Sequence, residues 1–368
     1  MVESLRKDKA SIVSGDIHPG IYVIAANIND RLGNDIRALI SLGSNIYSSS
    51  EVIGSKFLIP DLDKIAACGD IVSVDYKSRT VRTILSKKAN QNTILVTEEC
   101  DNLCVFCSQP PKPSGNFYTD ALLAISNFDG DGVVGITGGE PTLFWADFIL
   151  FFTEILRKKP EQTFHLLTHG RSFHEVDKVR ELQSTGGLRN ILFAIPLHAA
   201  NAGLHDKITG VAGSFDETLT GLLNLAFCGA TLEIRVVVNR YNYKSIAQVV
   251  SFVRSRLRSA NYIIALMQLE PAGWAKNRYD QLYVSADEQG KYISEALTAS
   301  TTYGQDIVLF NYPLCHLPSE ARPYAARSIS DWKNYFPGKC DLCTLRDDCG
   351  GFFASAKGKL IEDPRPEL

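Results

Sequence analysis

Three cysteines within eight residues are the most chemically informative feature of this sequence. Cys100, Cys104 and Cys107 form the pattern C-x3-C-x2-C directly after a strand-like segment. Clustered cysteines in a reducing compartment are more often metal ligands than disulfide partners. A structural zinc ion and a fully protein-bound four-iron cluster each take four ligands, so three cysteines leave one coordination position open for chemistry.

A structural zinc site is the alternative interpretation of this cysteine loop. Zinc would take its fourth ligand from elsewhere, and His165, His169 and His198 are the candidates. Of these, His198 follows a strand candidate and is favoured as a buried, hydrogen-bonded histidine. Cysteine spacing alone leaves both interpretations open.

A glycine-rich motif follows the next strand candidate. Gly138 and Gly139 would let a ligand approach the backbone closely, Glu140 offers a carboxylate to a cationic ammonium group, and Pro141 stiffens the turn. Taken alone, the motif also suits an ordinary strand-to-helix turn.

A later strand candidate, residues 231–238, alternates polar and apolar side chains. Glu233 and Arg235 share one face of this strand, and Leu232 and Ile234 share the other. If helices cover the apolar face, the two charged side chains point into a barrel, where Arg235 could bind a carboxylate. A Glu–Arg pair satisfied within itself is the alternative.

Four further cysteines form a second group with the spacing C-x24-C-x2-C-x5-C. They are Cys315, Cys340, Cys343 and Cys349. Four thiolates match a closed zinc site or one fully ligated iron–sulfur cluster. The surrounding segment has too little apolar sequence to form a core alone, and such segments are commonly held by metal.

The elements that must position these motifs fall into three predicted domains. Residues 1–90 are rich in short β-like runs and predict a small, mainly β domain, with a turn at Lys77–Arg79 and a helix near Ile36–Leu42. Residues 91–311 alternate strand and helix patterns, and residues 312–368 form the cysteine-rich extension.

The repeated βα units in the middle domain predict an α/β fold with a parallel sheet. About six units favour a partial (β/α)6 TIM-like barrel, and an open doubly wound sheet is the competing fold. Within this domain, Ser214 and Glu217 form an S-x-x-E capping box, and Gly229 is placed to end the same helix.

Composition narrows the class of protein. The 368 residues are 45% hydrophobic and 21% charged, with a net charge of −3, so nucleic acid is not favoured as a partner. The sequence shows no apolar run near the ~20 residues of a membrane helix and no signal-peptide core at its start. A cytoplasmic protein is expected.

The cysteine loop and the glycine motif together resemble radical S-adenosylmethionine (SAM) enzymes, which carry C-x3-C-x2-C with an aromatic residue before the third cysteine. The resemblance implies that Cys100, Cys104 and Cys107 hold a [4Fe-4S] cluster whose open iron chelates SAM. Reduction by an electron donor then cleaves SAM to a 5′-deoxyadenosyl radical, which abstracts hydrogen from the substrate.

The same resemblance implies roles for the other motif residues. Phe106 would lie near the adenine, and the element from Gly138 to Pro141 would bind the SAM ammonium. Inward polar side chains of later strands, here Glu233 and Arg235, would bind the ribose and carboxylate.

The C-terminal cysteines resemble the SPASM and twitch extensions of radical SAM peptide-modifying enzymes, which carry auxiliary clusters. Full SPASM domains use more cysteines, and Phe353 stands about where a further one is expected. Four ligands imply one auxiliary [4Fe-4S] cluster.

Several stretches resemble one subfamily, the HxsC radical SAM maturases of His-Xaa-Ser systems. They are residues 107–112, 311–315, 328–334 and 349–355. The resemblance implies a ribosomally made precursor peptide as substrate and an HxsB-like radical SAM maturase as partner, with the N-terminal domain a candidate for binding either. Two alternatives are radical SAM chemistry on a small molecule or RNA, and a zinc-dependent binding module without catalysis.

Overall fold

The computed structural model describes residues 66–67, 69–75, 77–301, 307–330, 332–358 and 362–368, together with the backbone of five strands before residue 66. The chain divides into two compact units. The first comprises Met1–Glu98, Pro113–Leu166 and Thr185–Asn190, and the second Glu99–Lys112, Leu167–Ser184 and Ile191–Leu368. None of the helices in the described part of the chain is both long enough and apolar enough to span a membrane.

The first unit begins with a seven-stranded sheet in the order β1-β7-β6-β2-β3-β4-β5. Its strands are β1 (Lys9–Ser11), β2 (Gly20–Ala25), β3 (Arg37–Leu42), β4 (Asn45–Ser48), β5 (Lys56–Leu58), β6 (Ile71–Asp75) and β7 (Thr80–Leu85). The mainly β prediction is confirmed, as is the turn at Lys77–Arg79, whose backbone donates to the Asp75 carboxylate at 2.9 Å.

The predicted helix near Ile36–Leu42 is wrong. That segment is β3, which pairs in parallel with β2 and antiparallel with β4. A short apolar run fits either a helix or a strand by periodicity, and here two neighbouring strands decide the outcome by satisfying both edges of the backbone.

The first unit also carries three parallel strands, β8 (Asn92–Leu95), β9 (Val134–Thr137) and β10 (Phe164–Leu167). Its helices are α1 (Tyr118–Asn127), α2 (Trp145–Lys158) and α4 (Gly187–Asn190). Helix α2 buries Phe148, Phe151 and Phe152, and the last two contact Phe164 of β10 with ring centroids 6.1 and 5.3 Å away. This aromatic layer packs α2 against the strand.

The second unit carries the later βα repeats. Its parallel strands are β11 (Ile191–Pro196), β12 (Thr231–Val238), β13 (Asn261–Gln268), β14 (Ile307–Phe310) and β15 (Ala325–Ala326). Its helices are α3 (Val176–Ser184), α5 (Ala202–Thr209), α6 (Ser214–Phe227), α7 (Ile246–Arg256), α8 (Gly273–Leu282) and α9 (Ala286–Thr301).

Strand order supports the partial barrel over the doubly wound sheet. Within each unit, strands that follow one another in sequence are neighbours in space, from β8 to β10 and from β11 to β15. A doubly wound sheet reverses its strand order at a switch point. The predicted α/β fold of TIM-like, partial-barrel type is thus confirmed.

After β14 the chain forms short 3-10 turns and one small hairpin. The turns are Leu314–His316, Ser319–Tyr324, Gly338–Leu342 and Ala354–Ala356. The hairpin pairs β16 (Asn334–Tyr335) with β17 (Phe352–Phe353). These elements hold the second cysteine group.

Candidate functional site

The first cysteine loop follows β8, the first strand of the βα repeats. Its three cysteines are all half-buried. The Cys107 N–H donates to the Cys104 carbonyl at 2.9 Å, which folds the second half of the loop into a tight turn. The Asn102 N–H lies 3.4 Å from Cys100 Sγ.

The Cys104 and Cys107 thiols stay protonated at neutral pH unless a cation lies beside them. Burial, with the neighbouring Cys107 adding to it, raises the pKa of Cys104 to about 12, and burial also raises the pKa of Cys107. Thiolates are the metal-binding form, and a bound metal is what stabilises them where solvent does not. The donor set therefore fits a metal centre held by three thiolates.

Charged side chains of the second unit surround the start of the loop. His169 Nε2 lies 2.6 Å from Asp101 Oδ1, Arg171 Nη1 lies 3.0 Å from Asp101 Oδ2, and Arg171 Nε lies 2.6 Å from Glu217 Oε2. Burial alone would raise the pKa of Asp101, but His169 and Arg171 outweigh it and hold that pKa at about 2. Asp101 is therefore ionised at neutral pH.

His169, one of the zinc-ligand candidates, lies beside the start of the loop. Cys100, Asp101 and His169 bring their ligand atoms within 4.8 Å of one another. Sequence reasoning did not identify Asp101 or Arg171 and assigned Glu217 to a helix cap, because contacts between residues 46 to 70 positions apart leave no local signal.

Phe106 contacts His198 edge-to-face, with ring centroids 5.1 Å apart. His198 is buried, as favoured, and its Nδ1 has no hydrogen-bond partner among the residues that the structure describes. Burial and the neighbouring His205 keep the pKa of His198 well below its usual value, so the ring is neutral. The other ring, His205, accepts from the His198 N–H at 3.2 Å.

The glycine motif lies in the first unit, between β9 and the 3-10 turn Pro141–Leu143. A Cβ on Gly138 would lie 2.4 Å from the Thr97 carbonyl, so this position requires glycine. Glu140 is buried, and its Oε1 accepts from Thr142 N at 2.9 Å and Thr142 Oγ1 at 2.5 Å. Glu140 thus caps this turn, as the simpler interpretation of the motif expects.

Glu233 and Arg235 lie on β12 and pair with each other. Arg235 Nε lies 2.9 Å from Glu233 Oε1, with the Glu233 side chain 3% exposed and the Arg235 side chain 20% exposed. Burial lowers the pKa of Arg235, and Glu233 opposes that shift. The shared face is as predicted, and the two side chains form an ion pair whose Nε–Oε1 geometry is not that of a hydrogen bond.

The second cysteine group lines one cavity of about 330 Å³, partly open to solvent. Cys315, Cys340, Cys343 and Cys349 all contribute to its wall. The Leu314 and Gly351 N–H groups each lie 3.4 Å from Cys349 Sγ. Burial and the three other thiols raise the pKa of Cys340 to about 11, and burial raises the pKa of Cys315, so a bound cation would be needed to ionise both at neutral pH.

Comparison with known proteins identifies the domain. Residues 94–253 match the family described as the Radical SAM superfamily. The prediction of a radical SAM domain is therefore confirmed over residues 94–253, and such domains use a [4Fe-4S] cluster and SAM. No curated protein matches the chain.

Three solved structures illustrate the likeness. SuiB of Streptococcus suis bound to S-adenosylmethionine has 16% identity and a TM-score of 0.46, covering 61% of this chain and 52% of its own. A radical SAM methyltransferase from Sphaerobacter thermophilus has 13% identity and a TM-score of 0.47. The match covers 65% of this chain and 72% of the methyltransferase. Native anSMEcpe with bound AdoMet and Kp18Cys peptide has 13% identity and a TM-score of 0.45. The match covers 58% of this chain and 61% of anSMEcpe. The chain spans about half the length of SuiB.

Proposed function

We propose that this chain is a radical SAM maturase that modifies a ribosomally made peptide. The observation that carries the proposal is the three-cysteine loop inside the radical SAM domain. Three cysteines leave one coordination position of a four-iron cluster open, and a bound metal would stabilise the thiolates of Cys104 and Cys107, whose pKa values burial raises.

Cys100, Cys104 and Cys107 would hold a [4Fe-4S] cluster. When bound and reduced, this group supplies the electron that cleaves SAM into methionine and a 5′-deoxyadenosyl radical, which takes a hydrogen atom from the substrate. The residues proposed to bind SAM are Phe106 at the adenine, Gly138, Gly139, Glu140 and Pro141 at the ammonium, and Glu233 and Arg235 at the ribose and carboxylate. Because Glu233 already pairs with Arg235, SAM would have to share that ion pair.

The second group, Cys315, Cys340, Cys343 and Cys349, is proposed to hold an auxiliary [4Fe-4S] cluster in a SPASM- or twitch-like extension. The four cysteines line one cavity, and four thiolates match the ligand count of one fully ligated cluster. A cluster is proposed over a zinc ion because the radical SAM domain already implies cluster chemistry in this chain.

The finer assignment follows from the subfamily resemblance. The substrate is proposed to be a precursor peptide of the His-Xaa-Ser type, and the partners an HxsB-like radical SAM maturase and an electron donor. Residues 107–112, 311–315, 328–334 and 349–355 support it. Residues 1–90 are proposed to bind the peptide or the partner.

Cys104→Ala tests the proposed activity. Anaerobically reconstituted wild-type protein should bind about eight irons with matching sulfide and should form 5′-deoxyadenosine. Cys104→Ala should bind about four irons and form none. Cys228→Ala is the matched control, since Cys228 is a half-buried cysteine outside both groups, and it should behave as wild type.

Three outcomes would contradict parts of this proposal. Zinc without iron at both sites would favour a binding module. Continued 5′-deoxyadenosine formation by Cys104→Ala would remove the loop from the chemistry. A deuterated His-Xaa-Ser repeat peptide that passes no deuterium to 5′-deoxyadenosine would favour a small-molecule or RNA substrate.

A further inference from the structure

We propose that Arg171 is a positioning residue for the first cluster, fixing the half of the loop that carries Cys100. This inference rests on the proposed cluster at Cys100, Cys104 and Cys107. It assigns a role to a side chain that lies outside the cysteine and glycine motifs.

The second half of the loop is held by backbone hydrogen bonds. Leu103 N–H donates to the Thr209 carbonyl at 2.9 Å, and Val105 N–H donates to the Ile208 carbonyl at 2.9 Å. The Trp274 N–H donates to the Cys107 carbonyl at 2.8 Å. The ends of two helices, α5 and α8, thus place the segment that contains Cys104 and Cys107.

The first half is held by side chains, among which Arg171 makes the most contacts. Arg171 Nη1 lies 3.2 Å from the Asp101 carbonyl, 3.0 Å from Asp101 Oδ2 and 2.9 Å from Asn102 Oδ1. These acceptors belong to the two residues that follow Cys100. The Arg171 guanidinium also reaches Glu217 through Nε at 2.6 Å, which anchors it to α6.

Burial makes this contact strong. The Arg171 side chain is 15% exposed, and charge-assisted hydrogen bonds are about twice as strong as neutral ones. His169 also contacts the Asp101 carboxylate, and its Nδ1 accepts a hydrogen bond from the Arg171 N–H at 3.1 Å. Lysine cannot reproduce this arrangement, because its single ammonium lacks the fixed fork that reaches several acceptors.

The test measures how fast each cluster loses iron to a chelator under anaerobic conditions. The full chain with Cys343→Ala isolates the first cluster, and the full chain with Cys104→Ala isolates the second. Arg171→Gln should speed iron loss from the first site at least about tenfold and alter its EPR spectrum. Arg171→Lys should lose iron from the first site more slowly than Arg171→Gln and faster than the parent. The rate of iron loss from the second cluster should be unchanged in both variants.

Arg180→Gln is the matched control, because Arg180 makes an exposed ion pair with Asp177 one turn away on the same helix. It should leave both rates unchanged. If Arg171→Gln fails to fold, Asp101→Asn probes the same contact at a carboxylate side chain that is 43% exposed, and it should also speed first-site iron loss.

An unchanged rate and spectrum in Arg171→Gln would overturn the inference, as would equal acceleration at both clusters. If the Cys343→Ala parent bound no iron at all, the proposed function would fail and this inference with it. A parent with a full first cluster separates the two claims.

Discussion

Gly273→Ala should displace the first cysteine loop. Gly273 begins α8 with φ +52°, and an added Cβ would lie 2.4 Å from the Cys107 carbonyl oxygen and 2.5 Å from that of Ser108. Both obstacles are backbone atoms, so no side-chain rotation relieves them. The neighbouring Trp274 N–H bond to Cys107 depends on this close approach.

The magnitude follows from two separable contributions. A left-handed backbone costs alanine about 1–2 kcal/mol. Forcing a carbon into closely packed backbone costs about 1–3 kcal/mol more. The total, about 2–5 kcal/mol, is a large share of the 5–15 kcal/mol that typically stabilises a domain, so we expect the loop to move.

The assay counts first-site iron in the Cys343→Ala background and follows thermal unfolding. Gly229→Ala is the matched control, since Gly229 has φ +83° and no described atom lies within 4 Å of the added carbon. The control should lose about 1–2 kcal/mol of stability and keep all its iron. Gly273→Ala should lose more stability and part of its first cluster. Equal stability losses with full iron in both variants would refute the reasoning.

Three further predictions concern separate sites. Glu140→Gln keeps an acceptor for Thr142 but removes the negative charge, so the affinity for SAM should fall about 10- to 150-fold. Equilibrium titration of reconstituted protein with SAM measures this affinity, and an unchanged value would remove Glu140 from the site. Burial lowers the pKa of His205 from 6.5 to about 4, so the folded state favours the neutral ring. The stability that this preference contributes is complete above pH 6.5 and is lost as pH falls towards 4. In urea unfolding, the free energy of unfolding of the wild type should therefore fall by about 2 kcal/mol more than that of His205→Gln between pH 7 and pH 5. Equal falls in the two proteins would contradict this prediction. Cys343→Ala should keep SAM binding and some uncoupled SAM cleavage yet lose peptide modification, and a variant that modified its peptide normally would contradict the auxiliary role.

The features predictable from sequence are those whose signal is local. The spacing of Cys100, Cys104 and Cys107 lies within one loop, and the parity of Glu233 and Arg235 follows from one strand. Gly229, expected to end a helix, takes the positive φ of that position after α6. Each of these needs only neighbouring residues.

The features that escaped prediction depend on distant partners. The segment Arg37–Leu42 became a strand because two other strands pair with it. The expected capping box also failed: Gly213 is the N-cap, Ser214 instead donates to Asp206 at 2.9 Å, and Glu217 pairs with Arg171. Tertiary contacts therefore override the local capping signal.

The most direct test of the central claim is the EPR spectrum of the reduced protein with and without SAM. The Cys343→Ala protein carries only the first cluster, and SAM bound to its open iron should change the spectrum. The Cys104→Ala protein carries only the fully ligated second cluster and should show no change. A SAM-dependent change in Cys104→Ala, or none in Cys343→Ala protein with a full first cluster, would contradict the assignment of Cys100, Cys104 and Cys107.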